Sequence, residues 1–162
     1  EKFPGCVTVF IGPCIAKRRE AFDDDFVDYV LSVEEISALF AAKEIDVSLM
    51  ENLEEETVPS SAARNFAKSG GVLEAVKNNL KDPSILNPAR INGLNKAGMN
   101  SLKRYGLINK NKIPSPPDCP NLIEVMACEG GCIAGPSVIT NIKQAEIQLD
   151  KYVKGGKNYN AE

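Results

Sequence analysis

Four short apolar runs alternate with helix-like segments, and this alternation constrains the fold more than any other feature of the chain. Each run has the length of a strand, and most are rich in β-branched residues and end near a turn residue. They are CVTVFI (Cys6 to Ile11), VDYVL (Val27 to Leu31), PARINGL (Pro88 to Leu94) and NLIEVM (Asn121 to Met126). Strands that alternate with helices are typical of parallel sheets joined by crossover helices. We therefore predict an α/β fold, with a mostly parallel sheet flanked by helices.

The segments between the runs carry helix signals. Ser32 and Glu35 have the spacing of a capping box and predict a helix that runs to about Glu44. Three more helices are predicted: GGVLEAVKNNL, NKAGMNSLKRYG opened by Asn95 and stopped by Gly106, and an amphipathic helix after Pro136 with Val138, Ile142, Ala145, Leu149 and Val153 on one face. Residues 46–64 are acidic and irregular, so we expect an exposed loop there.

Length and composition limit the function classes. The chain has 162 residues, which fits one domain or two closely joined lobes. We expect residues 1–154 to be the folded part and residues 155–162 to be a flexible tail. The net charge of −3 offers no basic surface for nucleic acid. No apolar run has the length of a membrane span, and no signal peptide is visible.

Two residue counts narrow the chemistry. The chain has no histidine, which excludes Ser-His-Asp and Cys-His catalysis and His-ligated metal sites within it. It has five cysteines, and an odd count without a secretion signal favours reduced thiols in the cytoplasm over a disulfide framework.

Three of the cysteines lie in glycine- or proline-rich turns directly after predicted strands. Cys14 follows the first run, and Cys128 and Cys132 follow the last. Thiols at the carboxyl ends of parallel strands can converge, and main-chain N–H groups freed by the turns would stabilise an anionic metal cluster. Gly130 and Gly131 would let the backbone pass close to a bulky ligand, and Lys17 would add a cation.

Simpler interpretations stay open at this point. Free cysteines often do nothing but pack, which is our interpretation of Cys6 and Cys119. A zinc site would use cysteine pairs two by two, whereas this chain has one close pair and a distant third cysteine. A dithiol redox motif needs two intervening residues, and that spacing is absent.

Longer motifs resemble the hydrogen-cluster domain of iron-only (FeFe) hydrogenases. The family pattern Pro-Cys-x-x-Lys with a later Glu matches Pro13 to Lys17 and Glu20, and Glu-x-Met-Ala-Cys-x-Gly-Gly-Cys matches Glu124 to Cys132. Between them, SSAARNFAKSGGVLEA (Ser60 to Ala75) is similar to a third family segment. The resemblance covers about Val7 to Gly135.

The resemblance implies specific roles. Cys14 and Cys128 would ligate a 4Fe-4S cluster, and Cys132 would bridge it to a diiron subsite where protons and hydrogen interconvert. Lys17 would hydrogen-bond a cyanide ligand, with Glu20 beside it. The remaining candidates are expected to lie near the cluster: Met126, Phe66, Ser69, Gly70 and Gly131. Alternatively, Met126 is plain strand core, and Lys17 and Glu20 are a solvated helix start.

The chain also departs from the family pattern. The Thr-Ser-Cys-Cys-Pro motif that supplies the fourth cluster ligand has no counterpart here, nor do ferredoxin-like cysteine motifs. We therefore expect a fragment of a longer protein, one that holds no complete cluster alone and whose upstream part supplies the remaining ligand. GPSVIT after Cys132 and IGPC around Cys14 are further departures and indicate a divergent branch.

Three functions follow from these observations. The first is the C-terminal part of a hydrogenase catalytic domain, served by a ferredoxin-type electron carrier or ferredoxin-like domains. The second is an iron–sulfur protein for electron transfer, sensing or cluster assembly without hydrogen chemistry. The third, for the isolated piece, is a cluster-free α/β scaffold with buried thiols.

Overall fold

The structure is a computed structural model, and it describes residues 4–51 and 58–156. These residues form two compact units. The first unit contains residues 4–51 and 135–141, and the second contains residues 58–134 and 142–156. Among the described residues, each unit has one parallel sheet of two strands flanked by helices, which confirms the predicted α/β class. The predicted strands therefore form two small sheets.

The first unit is built on strands β1 (Val9–Gly12) and β2 (Tyr29–Ser32), which pair in parallel with Gly12 opposite Ser32. Helix α1 (Ala16–Asp23) connects them, and helix α2 (Val33–Ala42) follows β2. The predicted capping box is confirmed. The Ser32 hydroxyl accepts a hydrogen bond from the Glu35 N–H, and the Glu35 carboxylate accepts one from the Ser32 N–H.

The second unit is built on strands β3 (Pro88–Asn92) and β4 (Leu122–Met126), which pair in parallel from Pro88 opposite Leu122 to Asn92 opposite Met126. Its helices are α3 (Ser61–Arg64), α4 (Gly71–Asn79), α5 (Lys96–Asn109) and α6 (Ile142–Lys154). Helix α4 begins at the predicted pair of glycines, with Gly70 as its N-cap and Gly71 as its first residue. Helix α6 begins at Ile142, later than the apolar pattern from Val138 indicated.

The predicted bounds of helix α5 are confirmed at one end and wrong at the other. The Asn95 side chain caps the first turn by accepting from the Gly98 N–H at 3.0 Å. The helix continues through Gly106, because an interior glycine lowers helix stability without forcing an end. It ends where Asn111 takes a left-handed conformation (φ 54°) and the Lys112 N–H bonds the Leu107 carbonyl, the pattern of a Schellman motif.

The expected loop over residues 46–64 is partly wrong. A 3₁₀ turn occupies Val47–Leu49, with the Asp46 side chain accepting from the Ser48 N–H. Helix α3 occupies the other end, with the Ser60 hydroxyl accepting from the Ala63 N–H. These side-chain caps form one-turn helices where the sequence has no apolar periodicity. Residues 52–57 of this loop and residues 157–162 of the expected tail lie outside the described residues.

Little apolar surface is fully buried in the described part of the chain. Ala75 and Ile91 are the buried apolar side chains, whereas Phe22 and Phe26 remain 81% exposed. No helix in the described ranges is both long and apolar enough to cross a bilayer.

Candidate metal centre

The turn that carries Cys128 and Cys132 begins directly after β4. The Gly131 N–H donates to the Cys128 carbonyl at 3.1 Å, and Gly130 has the positive φ (94°) that the third residue of a type II turn requires. Cys132 then opens a 3₁₀ turn, Cys132–Ala134. Both cysteine side chains are half-buried. The prediction that this pair lies at the carboxyl end of a strand is confirmed.

The cysteine turn is held against the segment before α4. The Ser69 N–H donates to the Gly130 carbonyl at 3.1 Å, and the Ile133 N–H donates to the Ala67 carbonyl at 3.2 Å. A Cβ on Gly131 would lie 2.6 Å from both the Ala67 oxygen and the Ser69 nitrogen. Glycine is therefore required here by the close approach of another stretch of protein backbone, a reason that the sequence pattern did not reveal.

Asn92, the last residue of β3, makes a side-chain contact with the cysteine turn. Its Oδ1 accepts from the Gly130 N–H at 2.8 Å. Beyond the strands, the Gly93 N–H donates to the Met126 carbonyl at 2.9 Å, so the β3–β4 pairing extends up to the turn. The N–H groups of Gly130 and Gly131 both have protein acceptors. The expectation that the turn directs its amides at a ligand is thus not met for these two.

Glu124 connects β4 to the start of α4. Its buried carboxylate accepts from the Gly70 N–H at 2.9 Å and from the Leu73 N–H at 3.3 Å. These N–H groups belong to the first turn of α4, where a carboxylate satisfies unpaired donors and interacts favourably with the helix dipole. Glu124 therefore fixes the Ser69–Gly71 stretch that borders the cysteine turn. A carboxylate inside an apolar strand run was the sequence signal that could have identified it.

Three of the predicted site residues lie in the first unit. Cys14 lies two positions after β1 and is half-buried, and its carbonyl accepts from the Lys17 N–H at 3.2 Å. The Lys17 ammonium contacts the Glu20 carboxylate at 2.6 Å and lies 5.9 Å from the centre of the Phe10 ring. The structure therefore places Cys14 in the turn between β1 and α1, and it places Lys17 and Glu20 on α1.

The remaining predicted residues lie in the second unit with Cys128 and Cys132. Ser69, Gly70 and Gly131 adjoin the cysteine turn through the contacts above. Met126 is half-buried at the end of β4, and Phe66 is 49% exposed on the segment that leads to Ser69. Within residues 4–51 and 58–156, no three Cys, Asp or Glu side chains are grouped so as to hold a metal ion. The ligand assignment of the three cysteines stays a prediction.

The two remaining cysteines, Cys119 and Cys6, are not among the predicted ligands. Cys119 is half-buried in the loop before β4, and Cys6 is exposed. The interpretation of Cys6 as a packing thiol is wrong, because β1 begins only at Val9 and leaves Cys6 outside the sheet. All five cysteines lie in the described ranges, and none is in a disulfide.

The residues around the cysteine turn fit an iron–sulfur cluster. Thiolates are the ligands that such clusters use, and the two cysteines of the turn are not in disulfides. Ser69, beside the turn, has a buried hydroxyl oxygen with no hydrogen-bond partner among the described residues. A buried polar atom of this kind is unusual and is consistent with a bound group in its vicinity.

The sequence of the chain matches a known protein family. Residues 2–136 match the family model described as iron only hydrogenase large subunit, C-terminal domain. The chain is 31% identical to a probable cytosolic Fe-S cluster assembly factor, narfl, of Dictyostelium discoideum, over 93% of this chain and 38% of that protein. It is 30% identical to the NADP-reducing hydrogenase subunit HndD of Solidesulfovibrio fructosivorans, over 80% of this chain and 27% of that protein.

A solved structure supports the fold. HydA(deltaEFG), reported for stepwise [FeFe]-hydrogenase H-cluster assembly, superposes with a TM-score of 0.53 over 88% of this chain and 52% of its own, at 15% identity. The chain thus spans less than half the length of the curated relatives and about half of the solved structure. Because the family model covers most of the sequence, the chain belongs to the family of the iron-only hydrogenase large subunit, C-terminal domain.

Proposed function

We propose that residues 1–154 are the C-terminal part of a hydrogenase-type catalytic domain, and that the full-length protein converts protons to hydrogen reversibly. The observation that carries the proposal is the turn at the end of β4, with Cys128 and Cys132 on either side of two glycines. Membership of the iron-only hydrogenase family supports the reaction. Lys17 and Met126 support it as well, because a simple 4Fe-4S protein needs neither.

Each site residue has a role in this proposal. As the family resemblance implies, Cys14 and Cys128 would hold a 4Fe-4S cluster, and Cys132 would join that cluster to a diiron subsite. When bound, this cofactor supplies the two-electron chemistry between protons and hydrogen, while the protein supplies ligation, hydrogen bonding and access. Lys17 donates a hydrogen bond to a diatomic ligand, and the Glu20 carboxylate, 2.6 Å away, holds the ammonium in place.

The second-unit residues shape the surroundings of the cofactor. Met126 packs against it, and Phe66 shields it from solvent. The Ser69 hydroxyl, which has no hydrogen-bond partner among the described residues, forms a hydrogen bond with the bound group. Gly131 is needed for the close backbone approach that brings Ser69 to the turn, and Gly70 has the positive φ (96°) of the residue that precedes α4.

The proposed site is completed from outside this chain. Three cysteine ligands leave one iron of a 4Fe-4S cluster without a protein ligand, so an upstream part of the same polypeptide supplies the fourth. Electrons reach the site from a ferredoxin-type carrier or ferredoxin-like domains in the cytoplasm. The piece by itself carries no complete cofactor.

A second function has its own support. Residues 135–140, shortly after Cys132 in the sequence, read GPSVIT, which departs from the catalytic family pattern. The amoebal relative, which matches 93% of this chain, is named as a probable Fe-S cluster assembly factor. These observations favour an iron–sulfur protein for electron transfer, sensing or cluster assembly without hydrogen chemistry.

Hydrogen turnover separates the two functions. Full-length protein, matured with its cofactor under anaerobic conditions, is assayed for hydrogen evolution from a reduced viologen and for hydrogen–deuterium exchange. The hydrogenase proposal predicts both activities, and predicts their loss in Cys132→Ala but not in Cys119→Ala. A protein with a 4Fe-4S signal and neither activity supports the second function.

A further inference from the structure

We infer that Asn92 is a positioning residue that fixes the conformation of the Cys128–Cys132 turn and thereby sets how firmly the turn holds iron and at what potential. The iron-dependent half of this inference rests on the proposed function. Asn92 reaches the turn from strand β3, 38 residues away along the chain from Gly130. It belongs to none of the motifs that indicated the metal site.

The position of Asn92 explains the contact. Asn92 is the last residue of β3 and lies opposite Met126 in the parallel register, so its side chain is beside the point where β4 ends and the turn begins. The Oδ1–N distance to Gly130 is 2.8 Å, and the bond is partly buried. A partly buried bond at this distance is well formed and protected from competing water.

The turn needs such a contact because its glycines restrain it poorly. Gly130 and Gly131 both have positive φ angles, of 94° and 93°, and glycine visits many other conformations at little cost. Two main-chain hydrogen bonds also hold these residues: the Ser69 N–H donates to the Gly130 carbonyl, and the Gly131 N–H donates to the Cys128 carbonyl. Asn92 adds a side chain on a strand, which is a more rigid support than a loop.

The same bond occupies one hydrogen-bond donor in the turn between Cys128 and Cys132. While Asn92 Oδ1 accepts from Gly130, that N–H is not available to a thiolate or a cluster sulfide. Hydrogen bonds to sulfur, net charge and solvent exposure set the potential of iron–sulfur clusters. Without the Asn92 acceptor, the turn is looser and the Gly130 N–H is free to bond a sulfur. Such a hydrogen bond favours the reduced, more negative form of the cluster.

Two substitutions at Asn92 distinguish the effect of losing the hydrogen-bond acceptor from the effect of adding a charge. Asn92→Ala removes the acceptor, whereas Asn92→Asp keeps an acceptor and adds a negative charge. Asn100→Ala is the matched control, since Asn100 is exposed on α5 in the same unit. Loss of an outer contact to a metal site typically weakens metal binding by roughly 10–100-fold.

The first test needs no iron. Amide exchange at Gly130 is measured by NMR in the iron-free full-length protein. We expect the exchange rate to rise about tenfold or more in Asn92→Ala, and to stay near wild type in Asn92→Asp and Asn100→Ala. Unchanged protection of Gly130 in Asn92→Ala would overturn the inference, whatever the chain binds.

The second test uses anaerobically matured full-length protein. We expect Asn92→Ala to lose iron to a chelator about tenfold faster than wild type and to shift the cluster potential upward. Asn92→Asp is expected to retain iron and shift the potential downward, because it adds negative charge. If wild type binds iron and Asn92→Ala matches it in retention and potential, Asn92 is only structural and the inference is rejected. If wild type binds no iron, the proposed function fails, and the exchange result alone decides whether Asn92 fixes the turn.

Discussion

The carboxylate of Glu124 lies 2.9 Å from the main-chain nitrogen of Gly70, so a buried acid on strand β4 caps helix α4 from outside that helix. The same carboxylate reaches the Leu73 N–H at 3.3 Å. Because Ser69 precedes this capped turn and bonds Gly130, the contact connects the helix start to the cysteine turn.

Loss of this carboxylate should destabilise the protein. Glu124→Ala leaves two N–H groups of α4 without their acceptor, and we expect a loss of roughly 1–3 kcal/mol in the free energy of unfolding. Urea titration followed by circular dichroism measures it. Glu129→Ala, an exposed carboxylate nearby in the chain, is the control and should stay within about 0.5 kcal/mol of wild type. Equal stability of the two variants would contradict the proposed cap.

Two glycines should respond in opposite ways to the same substitution. Gly131→Ala places a Cβ 2.6 Å from main-chain atoms of Ala67 and Ser69 at a φ of 93°, so we expect a loss of at least about 1–3 kcal/mol. Gly106→Ala, inside helix α5 with no heavy atom within 4 Å of the new Cβ, should gain about 0.5–1 kcal/mol. Thermal unfolding measures both. A Gly131→Ala protein as stable as wild type would mean that the cysteine turn does not lie against residues 67–69.

The first unit should lose stability in acid. The Thr8 N–H and then the Thr8 hydroxyl, which both donate to Asp28, hold the pKa of that carboxyl below its usual value. The Ser32 N–H and the Arg18 guanidinium lower the pKa of Glu35 in the same way. A lowered pKa in the folded state gives stability that is complete above the unfolded pKa and is lost as pH falls through the folded pKa.

Substitution of Asp28 tests this acid dependence. The unfolding temperature of wild type should fall between pH 6 and pH 3. This range spans the usual pKa of carboxyl groups, which is about 4. In Asp28→Asn the fall should be smaller, because the titrating group is gone, and the variant should be less stable at neutral pH. Asp25→Asn, at an exposed position, serves as the control. If Asp28→Asn follows the wild-type curve throughout, the Thr8–Asp28 contact contributes nothing.

Local signals in the sequence were sufficient for much of the fold. The Ser32–Glu35 capping box and the Asn95 cap were predictable because each depends on residues within one helical turn. Helix α1 lacked such a signal, since its eight residues carry no apolar periodicity and no side-chain cap. The end of α5 was missed because Gly106 is a conspicuous stop residue, whereas Asn111 makes the actual left-handed end.

The candidate site was predictable only where a motif marks it. The motifs indicated Cys14, Cys128 and Cys132 and placed Ser69 near them. Asn92 and Glu124 support the same turn through contacts 38 and 54 residues apart along the chain. Glu124 is the first residue of the last motif, but the motif does not reveal which N–H groups its carboxylate binds, because contacts at such separations depend on strand register and helix packing.

Infrared spectroscopy of the matured full-length protein tests the central claim most directly. Carbon monoxide and cyanide ligands on a diiron subsite give vibrational bands that a simple 4Fe-4S protein lacks. We expect these bands in wild type and in Cys119→Ala, and we expect their loss in Cys132→Ala. Bands that persist in Cys132→Ala, or wild-type protein with no such bands after maturation, would contradict the assignment of Cys132 as the residue that joins the two halves of the cofactor.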